Sequence, residues 1–189
     1  MANALIYIIG PSGSGKDTLI DLAREQLGQQ QDVCFAHRYI TRPASTGGEN
    51  HLALTREEFL ARQNAGLFAM SWYSHGCHYG IGIEIHQWLA KGRTVVVNGS
   101  RGYLGTALRQ YPELRPVLVD VASEILRERL TRRGRETEAD IERRLSRNSS
   151  FDLEAGKDCF RVDNNQSPDL ACQQLLSIIN QHRRKGACA

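Results

Sequence analysis

Ala4-Leu-Ile-Tyr-Ile-Ile9 runs directly into Gly10-Pro-Ser-Gly-Ser-Gly-Lys-Asp-Thr18. The apolar run predicts a buried strand. Leu19, Ile20, Ala23 and Leu27, spaced for one helical face, predict a helix from Lys16 to about Leu27. A strand that opens through a glycine-rich turn into a helix lets successive backbone N–H groups converge on a phosphate, with the positive end of the helix dipole behind them. Gly10, Gly13 and Gly15 permit the tight turn and the close approach, Pro11, Ser12 and Ser14 complete the loop, and Lys16 reaches the outer phosphates. Residues 10–18 therefore predict a nucleoside triphosphate site. The usual pattern, G-x-x-x-x-G-K-[ST], places a hydroxyl beside the lysine; here that position is Asp17, and the hydroxyl arrives one residue later at Thr18. Asp17 has two readings. It contacts magnesium or its waters, with Thr18 beside it, because a carboxylate next to a triphosphate needs a cation between them. Or it simply favours a helix N-terminus through the dipole.

The 189 residues suffice for one domain with a real core, or one domain with small inserts. A hydrophobic fraction of 41% argues against disorder, and a net charge of +3 against a broadly basic nucleic-acid binder. Positive charge is local instead, in the arginine-rich stretch from Arg127 to Arg147. Cys34, Cys77, Cys159, Cys172 and Cys188 form no C-x-x-C pair, so reduced thiols in a cytoplasmic protein are expected. The first apolar run is too short for a signal peptide, and no stretch is long enough to span a bilayer. Neither a membrane nor a nucleic acid is expected as a partner.

Along the chain, strand-like runs alternate with helical patterns. Val33 to Thr41 predicts a strand; Thr55 with Glu58 forms a capping box that opens a helix; Leu67 to Ile83 predicts strands and turns. A helix from Glu84 to Lys91 stops at Gly92, and Thr94-Val-Val-Val97 is a continuous apolar strand. Val117 to Val121 repeats that pattern, Ser123 caps a helix toward Arg133, and Thr137 starts another. Cys159 to Val162 predicts a short strand, with Ser167 and Pro168 opening the last helix. The alternation implies an α/β fold, a parallel sheet with helices on both faces.

Beyond the phosphate loop, the landmarks are Tyr39-Ile-Thr-Arg42, the acidic turn Gly48-Glu49, Thr55-Arg-Glu-Glu-Phe59, Tyr79-Gly80, the arginine segment, and Asp163-Asn-Asn165 before the last helix. In this order and at these intervals the chain resembles the guanylate kinase group of nucleoside monophosphate kinases over nearly its whole length. The resemblance implies a P-loop NTPase fold of the nucleoside monophosphate kinase type. It comprises a parallel-sheet core (about 1–33, 81–126 and 148–189), an acceptor-binding insert (about 34–80) and a helical lid (about 127–147). ATP as donor and magnesium as its ion follow from the same resemblance.

The departures bear on the acceptor. Guanylate kinases carry a second arginine where this chain has Ser45, a guanine-reading glutamate at Met70, and an acidic pair replaced around Val97-Asn-Gly99. A protein that selects guanine needs buried acceptors for its N–H donors. What stands on the acceptor side is polar, basic and compact: His37, Arg38, Arg42, His51, His75, His78, Tyr79, Asn98 and Arg101. Such a set suits a small phosphorylated sugar. The strings HRYITR, GENH, HYGIG and VNGSR, with RGRE in the lid, are similar to a branch that phosphorylates a phosphorylated ribose in phosphonate degradation. On this resemblance Arg38, Arg42, Tyr79, Asn98 and Arg101 are expected to bind the acceptor. Lys16, Arg133 and Arg144 are expected to serve catalysis, with Arg129 and Arg135 as further lid candidates. Asn164 and Asn165 are expected to meet adenine mostly through backbone. Trp72 and Trp88 are expected to pack, and the histidines lack zinc-site spacing. A nucleoside monophosphate kinase with altered base choice and a non-catalytic binding module remain as alternatives; the intact loop and lysine favour an enzyme.

Overall fold

The computed structural model describes residues 4–43, 49–134, 137–151 and 159–183. Strand β1 (Leu5–Ile9) lies at the centre of a five-stranded sheet ordered β2-β7-β1-β8-β9, in which every pairing is parallel. Its neighbours are β7 (Thr94–Asn98) and β8 (Arg115–Asp120), and the edges are β2 (Val33–Phe35) and β9 (Phe160–Asp163). The strands are apolar on both faces because both faces are covered. Ile6, Ile8, Val96, Val117 and Val119 meet α1 (Lys16–Leu27) and α7 (Pro168–Gln181). Leu5, Tyr7, Ile9, Val95, Val97 and Leu118 face the other way, toward α3 (Glu84–Ala90) and α4 (Leu104–Gln110). That double coverage is what a parallel sheet requires. Helix α7 opens as expected, with Ser167 Oγ accepting from Leu170 N and proline in the first turn. At its far end Arg183 grips the Asp32 carboxylate through Nε and Nη2, each at 2.9 Å, tying the helix to the entrance of β2.

The run from Val33 to Thr41, expected as one strand, is two. β2 ends at Phe35, and β3 (Arg38–Ile40) belongs to a second sheet of four strands ordered β4-β3-β6-β5. Ala36 N still donates to Val96 O on the core sheet, whereas Arg38 already pairs with Ile81, so the chain changes sheets at His37. The second sheet adds β4 (Leu52–Ala53), β5 (Phe68–Ser74) and β6 (Cys77–Gly82), with α2 (Arg56–Asn64) across it and Phe59 fully buried. The capping box of Thr55 and Glu58 is present. Met70 and Ile81 of this sheet share an apolar cluster with Tyr7 and Ile85, which docks the insert on the core.

A third apolar cluster joins α5 (Ser123–Arg133) to α6 (Glu138–Phe151) through Leu126, Leu130, Ile141 and Leu145. Ser123 is not the cap of α5. The cap is Ala122, whose N–H donates to Asn165 Oδ1 at 2.7 Å, so a side chain from the β9–α7 loop satisfies the backbone there. Thr137 does start α6, exchanging hydrogen bonds with Asp140. Cys34, Cys77, Cys159 and Cys172 are free thiols, and Cys188 lies outside the described residues. Among the described residues no helix is long and apolar enough to cross a membrane.

Candidate active site

The glycine-rich loop leaves the C-terminal end of the central strand, the position at which open α/β sheets bind ligands. Gly13 and Gly15 have φ of 89° and 87°, a conformation that L side chains rarely adopt. Space reinforces the choice. A Cβ on Gly13 would stand 3.0 Å from the Leu130 side chain of α5, and one on Gly15 only 2.5 Å from Asn164 Nδ2. The loop is thus pressed between α5 and the β9–α7 loop. Asn164 is buried, and its Nδ2 donates to Ser14 O at 2.6 Å while its own carbonyl accepts from Arg129 Nη2 at 2.9 Å. The Asn164 and Asn165 side chains both bond within the protein: the first donates to the phosphate loop, and the second accepts from Ala122 N at the start of α5.

Lys16 Nζ folds over the loop and donates to Gly10 O and Pro11 O, at 3.0 Å each. Desolvation lowers its pKa to about 8; Asp17 opposes the shift, and Arg38 and Arg101 add to it. Gly10, Ser12, Thr18 and Lys16 open onto a cavity of about 800 Å³, beneath which Pro11 and Ser14 are buried. The same cavity is lined from the insert by Arg38, Arg42, Glu49 and Tyr79, and from the loop after β7 by Arg101. Among the described residues its lining carries five cationic side chains, Lys16, Arg38, Arg42, Arg101 and Arg133, against two carboxylates, Asp17 and Glu49. A surplus of that sign in a partly dry cleft suits two polyanions brought together.

A polar network crosses the cavity floor. Asn98 is buried rather than lining, and its Nδ2 donates to Asp17 Oδ1 at 2.7 Å and to Glu49 Oε1 at 3.4 Å. Arg38 Nε donates to Glu49 Oε1 at 2.5 Å, and Nη2 to Oε2 of the same carboxylate. Burial works against the Arg38 charge, but the bond and charge of Glu49 outweigh it and hold the guanidinium above its ordinary value. Arg38 also lies over the Tyr79 ring, 5.2 Å from its centroid. Tyr79 stacks on Trp72 at 5.6 Å, and Trp72 on Tyr103 at 5.4 Å. Trp72, expected only to pack, is therefore also a wall of the cavity. Under Ser100, the buried Tyr7 hydroxyl accepts from Ser100 N at 2.9 Å and lies 3.3 Å from its carbonyl, which sets the loop bearing Arg101.

Other sequence candidates fall at varied distances from this cavity. Arg133, the last residue of α5, reaches it; Arg144 is half-buried on α6 and is not among the lining residues; Arg135 and Ser45 lie outside the described residues. Met70 is fully buried in the core, so no carboxylate stands at that point. His51 is a strut: Nδ1 lies 2.9 Å from Glu49 O and Nε2 3.1 Å from Arg42 O, closing the loop that carries both. His78 packs on Phe59 and Tyr73, while His75, at φ 50° in the β5–β6 turn, lines the cavity. Glu49, Trp72, Tyr73 and Tyr103 are among the cavity residues that sequence reasoning did not place there. The Gly48-Glu49 turn was the available signal, but a carboxylate among phosphate-binding arginines argues against itself until its partners are seen. Among the described residues no cluster of three or more His, Cys, Asp and Glu side chains forms a metal site. A magnesium ion carried by a triphosphate needs only one or two carboxylates, and Asp17, with 40% of its side chain exposed on the cavity, fits that demand.

The model of the guanylate kinase family matches residues 2–182. A ribose 1,5-bisphosphate phosphokinase PhnN from Desulfomicrobium baculatum is 59% identical over 175 residues, covering 93% of each chain. Its counterpart from Thiobacillus denitrificans is 59% identical over 176 residues, covering 93% of this chain and 92% of that one. The counterpart from Burkholderia pseudomallei is 46% identical over 178 residues, covering 94% and 96%. Among solved structures, guanylate kinase from Anaplasma phagocytophilum superposes with a TM-score of 0.72 over 98% of this chain and 88% of that one, at 15% identity, a likeness of fold.

Proposed function

We propose, from the premise that this chain belongs to the guanylate kinase family and within it to the ribose 1,5-bisphosphate phosphokinases, that it transfers the terminal phosphoryl group of ATP to ribose 1,5-bisphosphate. The bond from the γ-phosphorus to the bridging oxygen of ATP breaks, an oxygen of the sugar's 1-phosphate takes the phosphoryl group, and 5-phosphoribosyl 1-diphosphate and ADP leave. The observation that carries the reading is the shared cavity: an intact phosphate loop and an arginine-rich acceptor wall face each other in a chain of this family.

An acceptor that is itself a phosphate needs no catalytic base, since its second ionisation lies near pH ~6. The difficulty is to hold two polyanions in line and to stabilise charge spread over the migrating group. Lys16 meets the outer phosphates of ATP, and Arg133 and Arg144 bring lid charge to the group in transit. Arg42 takes a phosphate of the sugar through paired N–H donors, with Arg101 beside it. Asp17 and Thr18 would hold magnesium together with the triphosphate, and the ion would supply charge neutralisation there. The substrate is a small molecule, and nothing in the surface charge calls for nucleic acid.

The test is incubation with magnesium-ATP and either ribose 1,5-bisphosphate or GMP, followed by mass measurement and phosphorus NMR. A new diphosphate on the sugar, and none from GMP, is expected. Conversion of GMP to GDP with no reaction of the sugar overturns the reading in favour of a guanylate kinase.

A further inference from the structure

Two carboxylates line a cavity otherwise built for anions, and Asp17 belongs to the donor loop; Glu49 is the one on the acceptor wall. An unpaired carboxylate there would repel a phosphorylated substrate. Glu49 is paired. Its side chain is 9% exposed and takes both donors of the Arg38 fork, and Arg38 is itself only 12% exposed. Pulling Arg38 away to a substrate phosphate would leave a buried charge without a partner, which costs more than the exchange returns. Arg38, although it lines the cavity, is therefore a positioning residue. Arg42 differs: its nearest approach to Glu49 is 3.8 Å, its side chain is 28% exposed, and its Nε has no hydrogen-bond partner among the described residues. Its fork is available to phosphate.

The lone pairs of Glu49 can be counted. Oε1 accepts from Arg38 Nε and from Asn98 Nδ2; Oε2 accepts from Arg38 Nη2 and comes no closer to Arg42 than 3.8 Å. Oε2 thus keeps acceptor capacity on the cavity side. An ionised carboxylate can only accept, so a phosphate gains nothing from that oxygen, whereas a hydroxyl gains a charge-assisted hydrogen bond. Arg38, which holds the carboxylate, is itself braced by the stack of Tyr79, Trp72 and Tyr103, and His51 holds the Glu49 backbone, so its position is set before anything binds.

We propose that Glu49 is the specificity-determining residue of the acceptor side, a carboxylate held by Arg38 and Asn98 that accepts a hydrogen bond from a ring hydroxyl of the phosphorylated sugar while Arg42 takes a phosphate. The inference rests on the proposed phosphorylation of a phosphorylated ribose and names the group through which that sugar is read.

The experiment compares kcat/KM for ribose 1,5-bisphosphate and for its 2-deoxy and 3-deoxy analogues, in the parent protein and in Glu49→Gln and Glu49→Asp. The parent should prefer ribose over at least one analogue by about tenfold or more, the scale of one hydrogen bond to a charged group. In Glu49→Gln that preference should shrink to within about threefold, with the KM for ATP unchanged, and in Glu49→Asp, which keeps the charge, part of it should return. A merely structural role would lower all three sugars by a common factor and leave their ratios intact. Equal use of both deoxy sugars by the parent overturns the proposal whether or not the variants fold, and so does a preference that survives in Glu49→Gln. Turnover of ribose 1,5-bisphosphate without discrimination removes the role of Glu49 alone; no turnover of any phosphorylated ribose removes the kinase reading with it.

Discussion

Lys16 shows how one residue serves chemistry at a cost to folding. Its ammonium is drawn from water, so its pKa falls to about 8, below the ordinary lysine value of 10.5. A lysine whose folded value is depressed destabilises the native state below that pH, and the penalty fades as pH rises toward the unfolded value. Lys16→Ala should therefore lower kcat by about 10²-fold or more while leaving Tm at neutral pH equal to or above that of the parent. Turnover assays and thermal melts on the same preparation separate the two effects. If Lys16 meets the triphosphate as proposed, its ammonium is lost above about pH 8, so ATP affinity in the parent should hold steady below that pH. Above it, affinity should weaken by up to about tenfold per unit, measured by calorimetry across pH 7 to 9.5. Asn164 is the opposite case, a side chain that touches no reacting group. Asn164→Ala removes the donor to Ser14 O from a buried site. It should destabilise the fold by about 1–3 kcal/mol in urea unfolding and raise the KM for ATP, because the loop loses its brace.

Among the elements, α5 and α6 form a pair with an apolar cluster of their own, and the Gly13 contact with Leu130 sets that pair against the phosphate loop. Arg133 ends α5 just before Gly134, whose φ of 65° terminates the helix and leaves the arginine over the cavity. Arg133→Ala and Arg144→Ala should each lower kcat, by about tenfold to 10²-fold, far more than they raise the KM for ATP, because lid charge acts on the migrating group. Steady-state kinetics decide this; a change confined to KM would place the residue in ground-state binding. Elsewhere, the Asp32–Arg183 pair ties β2 to the end of α7. The hydrogen bond from Arg183 holds the Asp32 carboxyl below the ordinary range of an aspartate. The stability from this pair is therefore fully present above the unfolded pKa and is lost as pH falls through the depressed folded value. Arg183→Gln should lower stability at neutral pH and flatten the dependence below about pH 4, read from urea midpoints at pH 7, 5, 4 and 3.

At the scale of the whole molecule, two sheets share one apolar cluster, and the cavity lies where they and the end of α5 meet. A ligand that binds only this assembled arrangement stabilises all of it. Ribose 1,5-bisphosphate at about 100 times its Kd should add roughly 2.7 kcal/mol and raise Tm by several degrees, whereas GMP at the same concentration should not; differential scanning fluorimetry reports both. Much of this architecture was legible in the chain. The strand, loop and helix of residues 4–27, the capping box at Thr55, the doubly buried β7 and the Ser167-Pro168 start of α7 are local patterns, set by period, cap and backbone conformation within a few residues. The break at His37 was not legible, because β2 and β3 are both apolar enough to read as one strand and only pairing partners in different sheets separate them. Nor was the fate of the acceptor-side polar residues. Arg38 and Arg42 look alike in sequence, and a separation of 11 positions between Arg38 and Glu49 says nothing of the fork that joins them. The sequence by itself determined the donor loop, its lysine and the alternation of elements, since these depend on neighbours along the chain. The pairing of Arg38 rather than Arg42 with Glu49, and the bond of Asn98 to both carboxylates, came from the folded chain alone, because a side chain's chemistry is set by partners brought together across the fold.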